Sequence, residues 1–227
     1  MDEIYRNRLA RIRSEMEEAS DGRYPLPKII AVTKTHPVSM IQNLDPELLP
    51  DIGENHVQEI REKAPLLGGN FRIHMIGRLQ TNKVKYIMEN VHLIQSMDRM
   101  ELAEEIHRQA LRHEKVMPVL LQVSPCGEPQ KGGCPLEETE DMLRKVSQLS
   151  GLHVTGLMAV MPNTGDTDLL DSLFARMRLL FEQMRDTAVN GVDMSVLSMG
   201  MSHDYTLAAR HGATMVRIGS ALFGPRG

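Results

Sequence analysis

The sequence predicts an α/β protein, a single (β/α)8 TIM barrel with an extra N-terminal helix. Short apolar runs alternate with longer amphipathic ones, the pattern of strand–helix units wound around a parallel sheet. Eight such apolar runs occur, the number of strands in this kind of barrel. The chain of 227 residues is 41% hydrophobic, which suits one sizeable core. One domain over 1–227 is expected, with a helix and loop over 1–27 and the barrel over 28–227.

Before the first strand, Ile4, Leu9, Ile12 and Met16 mark one face of a helix, stopped by Ser20-Asp21-Gly22 and by Pro25 and Pro27. The first strand is the run Lys28-Ile29-Ile30-Ala31-Val32-Thr33-Lys34. The same criterion, a short apolar run between polar or glycine-bearing stretches, gives the further strands 51–54, 72–77, 91–97, 117–124, 153–160, 194–200 and 214–219. Between strands 153–160 and 194–200, Leu169, Leu170, Leu173, Phe174, Met177, Leu180, Phe181 and Met184 keep helical spacing and are expected to cover the sheet.

A net charge of −4 and the lack of a basic block argue against nucleic acid or an anionic membrane as the main partner. Arg78, Lys83 and Lys85 accordingly read as a solvated face. The start Met1-Asp2-Glu3 has no apolar signal core, and no later stretch approaches a bilayer span, so a cytoplasmic location is expected. Cys126 and Cys134 fit neither CxxC nor a four-ligand zinc spacing and read as unbridged thiols. No HExxH-like metal spacing and no GxSxG elbow is present, so neither metal dependence nor a hydrolytic triad is expected. Without a coiled-coil seam the chain is expected to be a monomer.

Barrel chemistry sits where strands run into the following loops. Lys34 closes the first strand, where an amine with its charge suppressed can attack an aldehyde and form a Schiff base. The segments Ser198-Met199-Gly200-Met201-Ser202 and Val216-Arg217-Ile218-Gly219-Ser220 end the last two strands. Their glycines let backbone amides approach an anion, and barrels commonly hold phosphate at these two loops. A phosphate-bearing aldehyde would be gripped at one end and bonded at the other; pyridoxal 5′-phosphate fits that description.

Five ordered segments at strand ends carry a resemblance. They are Ala31-Val32-Thr33-Lys34-Thr35, Gly53-Glu54-Asn55-His56-Val57-Gln58-Glu59, the run from His74 to Lys83, and the two phosphate-loop segments with Phe223-Gly224 after them. On these the chain resembles the pyridoxal phosphate homeostasis protein family, related in fold to the barrel domain of bacterial alanine racemases. The resemblance spans nearly the whole chain. It implies that Lys34 forms the internal aldimine, that Asn55 lies near the pyridine ring and its 3-hydroxyl, that Ser198, Gly200, Gly219 and Ser220 hold the phosphate, and that Arg217 faces the pyridine nitrogen. It also implies a role in vitamin B6 balance as carrier or buffer, with pyridoxal-phosphate-dependent apoenzymes as possible recipients. Where the family often carries aromatics, this chain has Ile73, Ile52 and His56.

Arg217 bears on the reaction as well, because a guanidinium only donates and will not stabilise a protonated pyridinium as a carboxylate does. Racemisation needs a second acid/base, which the racemases resembled here take as a tyrosine from an additional β-domain. This chain stops at Gly227, and none of Tyr5, Tyr24, Tyr86 and Tyr205 lies at an expected strand end. A non-catalytic protein is therefore expected. The alternatives are a weak pyridoxal-phosphate-dependent racemase or lyase, and a Schiff-base aldolase that uses Lys34 on a sugar phosphate. His74 reads as a histidine bonded to backbone in a packed barrel rather than a base. Lys131, in the loop Gly127-Glu128-Pro129-Gln130-Lys131-Gly132-Gly133, reads as a surface amine that could accept the aldehyde from Lys34.

Overall fold

Nine strands form the sheet of the protein, which is described over residues 2–127 and 132–224 by a computed structural model. They are β1 (Lys28–Val32), β2 (Asp51–Glu54), β3 (Arg72–Met75), β4 (Val91–Met97), β5 (Met117–Ser124), β6 (Cys134–Pro135), β7 (Leu152–Ala159), β8 (Val192–Met201) and β9 (Met215–Ile218). All pairings are parallel, in the order β4-β3-β2-β1-β9-β8-β7-β5. A further β4–β5 pairing closes the ring of eight. The two-residue β6 lies beside the end of β5 and is not one of the eight staves. The fold is the expected TIM barrel.

The expected strand bounds 28–34 and 72–77 overrun the observed ones by two residues each. The cause is local. Thr33 N–H still donates to Gly53 O at 3.0 Å and Ile76 N–H to Glu54 O at 2.9 Å, so the ladder runs one residue past each strand. Thr35 then takes φ 66°, a left-handed conformation that turns the chain out of the sheet.

The helices are α1 (Glu3–Ser20), α2 (Val38–Gln42), α3 (Val57–Leu67), α4 (Met100–Arg112), α5 (Thr139–Val146), α6 (Thr167–Thr187), α7 (Tyr205–Arg210) and α8 (Ser220–Phe223). A 3-10 segment, Thr81–Tyr86, follows β3. α1 is the extra N-terminal helix and packs on α7 and α8. Leu9, Ile12 and Met16 are buried as expected, but Ile4 is exposed; Tyr5 takes the inward place and meets Phe223 edge-on at 5.7 Å. In α6 the Asp166 carboxylate accepts the Leu169 N–H at 2.9 Å and starts the helix. Leu170, Leu173, Phe174, Met177, Phe181 and Met184 share the buried stripe, each contributing about 1.5–3 kcal/mol. Leu169 lies off that stripe and is exposed, against expectation, while Leu180 is half-buried.

The main apolar core fills the space between the sheet and the helices. A small cluster of Ile30, Leu93, Leu120, Met158 and Met215 is separate from it. Buried polar side chains on the strands, among them His74, Gln95, Ser198 and Arg217, bond to one another. Among the described residues no helix is long and apolar enough to cross a membrane.

Candidate functional site

Lys34 stands in the turn after β1, between two residues that a buried ion network holds. Lys63, on α3, donates from Nζ to Thr33 O at 2.8 Å, to Glu54 Oε1 at 2.8 Å and to Glu59 Oε2 at 2.7 Å. The Thr33 hydroxyl donates to Glu54 Oε1 at 2.6 Å, and Thr35 N–H to Glu59 Oε2 at 2.7 Å. Both neighbours of Lys34 are thus fixed by side chains from β2 and α3. Burial pushes the Glu54 pKa up against the bonds from Lys63 and Thr33, while the bonds from Lys63 and Thr35 outweigh burial at Glu59 and hold it down.

On the far side, β9 pairs with β1 and sets Ile30 beside Arg217 and Ala31 beside Ile218. The Arg217 side chain is buried, with Nη1 donating to Ser198 O at 3.0 Å and Ser198 Oγ at 2.8 Å, and Nη2 to Ala159 O at 2.7 Å. Burial lowers its pKa to about 10, opposed by the Asp204 charge, so it stays a cation at neutral pH. Past the strand ends, Gly219 N–H and Ala221 N–H both donate to Ser202 Oγ, at 3.0 and 3.2 Å. Two amides here converge on one oxygen.

Lys34, Asn55, Arg217, Gly219 and Ser220 line one cavity of about 300 Å3. Ser198 and Gly200 do not line it. Ser198 is buried and donates to Gln95 Oε1 at 2.7 Å while accepting from Arg217. Gly200 has φ 94°, and a Cβ there would meet the Ala208 Cβ at 2.4 Å, which places its free side against α7. Residues two apart on a regular strand share a face, but the β8–β9 register shifts between Ser198 and Met201, and that irregularity separates the two. The cavity also takes in Ser202, which is not among the four residues expected to hold the phosphate. Its signal in sequence is weak, a hydroxyl two residues after a glycine at a strand end.

A chain of hydrogen bonds leads away from Arg217. After Ser198 and Gln95, Gln95 Nε2 lies 2.9 Å from His74 Nδ1, and His74 Nε2 lies 3.0 Å from Asp51 Oδ1. With the amide donating, His74 Nδ1 is the acceptor and Nε2–H the donor toward Asp51. His74 is therefore bonded to side chains and not to backbone as expected, and it does not line the cavity. Lys131 lies outside the described residues. Among the described residues no tyrosine lines the cavity and no cluster of metal-binding groups occurs. Cys126 is exposed, Cys134 is buried, and neither is in a disulfide.

Fold and site together define a (β/α)8 barrel protein in which a lysine, an arginine and two serines line one cavity at the strand ends. The chain belongs to the family of the alanine racemase N-terminal domain, whose model matches residues 7–227, and within it to the pyridoxal phosphate homeostasis proteins. It is 38% identical over 219 residues to the pyridoxal phosphate homeostasis protein of Aquifex aeolicus, covering 96% of this chain and 95% of the relative. It superposes on PipY of Synechococcus elongatus, solved with PLP bound, with TM-score 0.81 and 31% identity over 94% of this chain and all of that one. An alanine racemase of Clostridium difficile matches with TM-score 0.76 at 14% identity, over 97% of this chain and 57% of the racemase, a likeness of fold alone.

Proposed function

We propose that this protein holds pyridoxal 5′-phosphate covalently through Lys34 and serves in vitamin B6 homeostasis as a carrier or buffer. The observation that carries the reading is that Lys34, Arg217, Gly219, Ser220 and Ser202 line one cavity. Relatives at 31–38% identity bear the name pyridoxal phosphate homeostasis protein, and PipY has been solved with PLP bound.

The chemistry of the donor set fits the cofactor. The Gly219 and Ala221 amides already gather around a hydroxyl oxygen, as they would around an anionic one. Among the described residues no carboxylate lines the cavity. Pyridoxal 5′-phosphate supplies an aldehyde that a primary amine takes up and gives back reversibly, together with an anionic phosphate. In this reading Lys34 provides the amine, and Gly219, Ser220 and Ser202 receive the phosphate. Asn55 and Arg217 face the ring. Ser198 and Gly200 act at one remove, Ser198 by fixing Arg217 and Gly200 by admitting α7 close to β8.

Arg217 disfavours strong carbanion chemistry such as transamination, although a racemase can work with this arrangement. A permanent donor beside the ring cannot accept a hydrogen bond from a protonated pyridine nitrogen and favours the unprotonated one, so the cofactor remains a weak electron sink. The test is spectroscopic and chemical. Purified protein is expected to carry the visible absorption of lysine-bound cofactor, absent in Lys34→Ala. Borohydride reduction and peptide mass mapping are expected to place the added mass on Lys34, and an unmodified Lys34 peptide overturns the reading. Incubation of the loaded protein with amino acids is expected to give no turnover.

A further inference from the structure

We infer that the cleft beside the cofactor cavity is a second binding site, for a phosphate-bearing small molecule of nucleotide size. The cleft, of about 700 Å3, lies between the start of α3 and the stretch from Arg78 to Tyr86. Its volume is that of an ordinary small-molecule pocket. Arg61, Arg78, Lys83 and Arg99 line it, and no Asp or Glu does.

Acidic residues outnumber basic ones in this chain, which makes an acid-free concentration of cations informative. Arg99 is tied to Asp98 at 2.5 Å and to Leu79 O at 3.2 Å, so it forms a fixed, partly neutralised wall. Arg78 makes no hydrogen bond or ion pair among the described residues. Arg61 and Lys83 hold to the Tyr86 ring at 4.9 and 5.8 Å, and Lys85 joins them at 5.0 Å. Three cations around one exposed ring repel one another, and an anion in the cleft relieves that repulsion. The sequence pattern alone made Arg78, Lys83 and Lys85 a solvated face; the fold places Arg78 and Lys83 in a concavity.

Gln80, Thr81 and Asn82 add hydrogen-bonding groups to the lining, and Val57, Leu79 and the Tyr86 ring add apolar surface. Such a surface suits a polar ligand with several oxygens rather than an apolar one. The concave shape favours a small molecule over a protein face, and the net charge of −4 disfavours a polynucleotide. Asn55 forms part of both the cleft and the cofactor cavity. A Cβ on Gly77 would come within 2.4 Å of Asn55 O, so the segment bearing Arg78 is packed directly on that shared residue.

The test is titration calorimetry of the loaded full-length protein with inorganic pyrophosphate and with ATP, at physiological salt so that loose surface attraction is screened. Saturable one-to-one binding of at least one probe is expected. Arg78→Ala and Lys83→Ala, both at exposed positions, are each expected to weaken it about tenfold, the loss of one hydrogen bond to a charged group. Lys34→Ala is expected to leave it unchanged. The absence of saturable binding overturns the inference, as does binding indifferent to Arg78 and Lys83, or binding lost in Lys34→Ala. Retention of an acidic protein without either small anion also overturns it. Cofactor absorption is expected to persist in Arg78→Ala; if the wild type lacks that absorption, the cofactor reading fails while pyrophosphate binding still reports on the cleft.

Discussion

Lys63 Nζ lies 2.8 Å from the carbonyl oxygen of Thr33, the residue before Lys34. The same ammonium meets Glu54 and Glu59, and Glu59 accepts the N–H of Thr35, the residue after Lys34. One buried cation on α3 therefore organises both flanks of the residue at the cavity mouth. Thr35 sits at φ 66°, a conformation that a β-branched residue adopts only at a cost, and the Glu59 bond offsets it.

Lys63→Met removes the cation bonded to Glu54 and leaves that carboxylate buried near the like charge of Glu59. Removing one partner of a buried pair costs about 3–5 kcal/mol. That loss is expected in urea unfolding at neutral pH, with part of it regained in acid, where Glu54 takes up a proton. The variant is also expected to retain less cofactor than wild type, measured as visible absorption per mole of folded protein.

The barrel was legible because most of its strands are short apolar runs, and all eight expected segments became staves. The position of Lys34 at a cavity followed from the rule that strand ends face the loops. Side-chain facing was less legible. Ser198 and Gly200 share parity in sequence, yet the irregular β8–β9 register turns one toward Arg217 and the other toward α7. The Lys63 network joins residues up to 30 positions apart and leaves no local period to detect. The basic cleft was visible as composition but not as shape, since concavity arises only when α3 and the Thr81–Tyr86 segment come together.

Asp51 anchors the end of the polar chain, with Arg72 bonded to it at 2.7 Å and His74 Nε2 at 3.0 Å. Burial pushes its pKa up, but the hydrogen bonds from His74 and Arg72, with the Arg72 charge, outweigh it and hold the carboxyl at about 2, down from 3.8. A carboxyl with a depressed folded pKa stabilises the fold above its unfolded pKa and loses that contribution as pH falls through the folded one. The window therefore runs from about pH 4 down to about pH 2. Asp51→Asn is expected to cost about 2 kcal/mol near neutral pH and to flatten the acid limb of stability in this window. Urea midpoints measured across the window check both expectations.

The two glycines assigned from sequence to one role are expected to separate on substitution. A Cβ at Gly200 meets Ala208 Cβ at 2.4 Å on a backbone at φ 94°, so Gly200→Ala carries both overlap and strain. Destabilisation of about 1–3 kcal/mol or more is expected. At Gly219 the nearest atom to an added Cβ is 3.6 Å away, an ordinary contact, and Gly219→Ala is expected to change stability by less than about 1 kcal/mol. Parallel urea unfolding of the two variants decides.

Ser198 offers the sharpest distinction between holding a ligand and holding a residue that faces one. Its hydroxyl accepts from Arg217 at 2.8 Å and donates to Gln95 at 2.7 Å, so both of its bonds lie within the protein. Ser198→Ala deprives Gln95 Oε1 of its donor and Arg217 of one acceptor, while Ser198 O still accepts from Arg217 at 3.0 Å. A stability loss of about 1–3 kcal/mol is expected. Affinities for pyridoxal 5′-phosphate and for pyridoxal are expected to fall together, because the lost hydroxyl does not line the cavity proposed to take the phosphate. Ser220→Ala, at the cavity wall, is expected to weaken the phosphorylated compound selectively. Equilibrium dialysis of both compounds against both variants gives the ratio. A selective loss in Ser198→Ala returns that hydroxyl to the phosphate site.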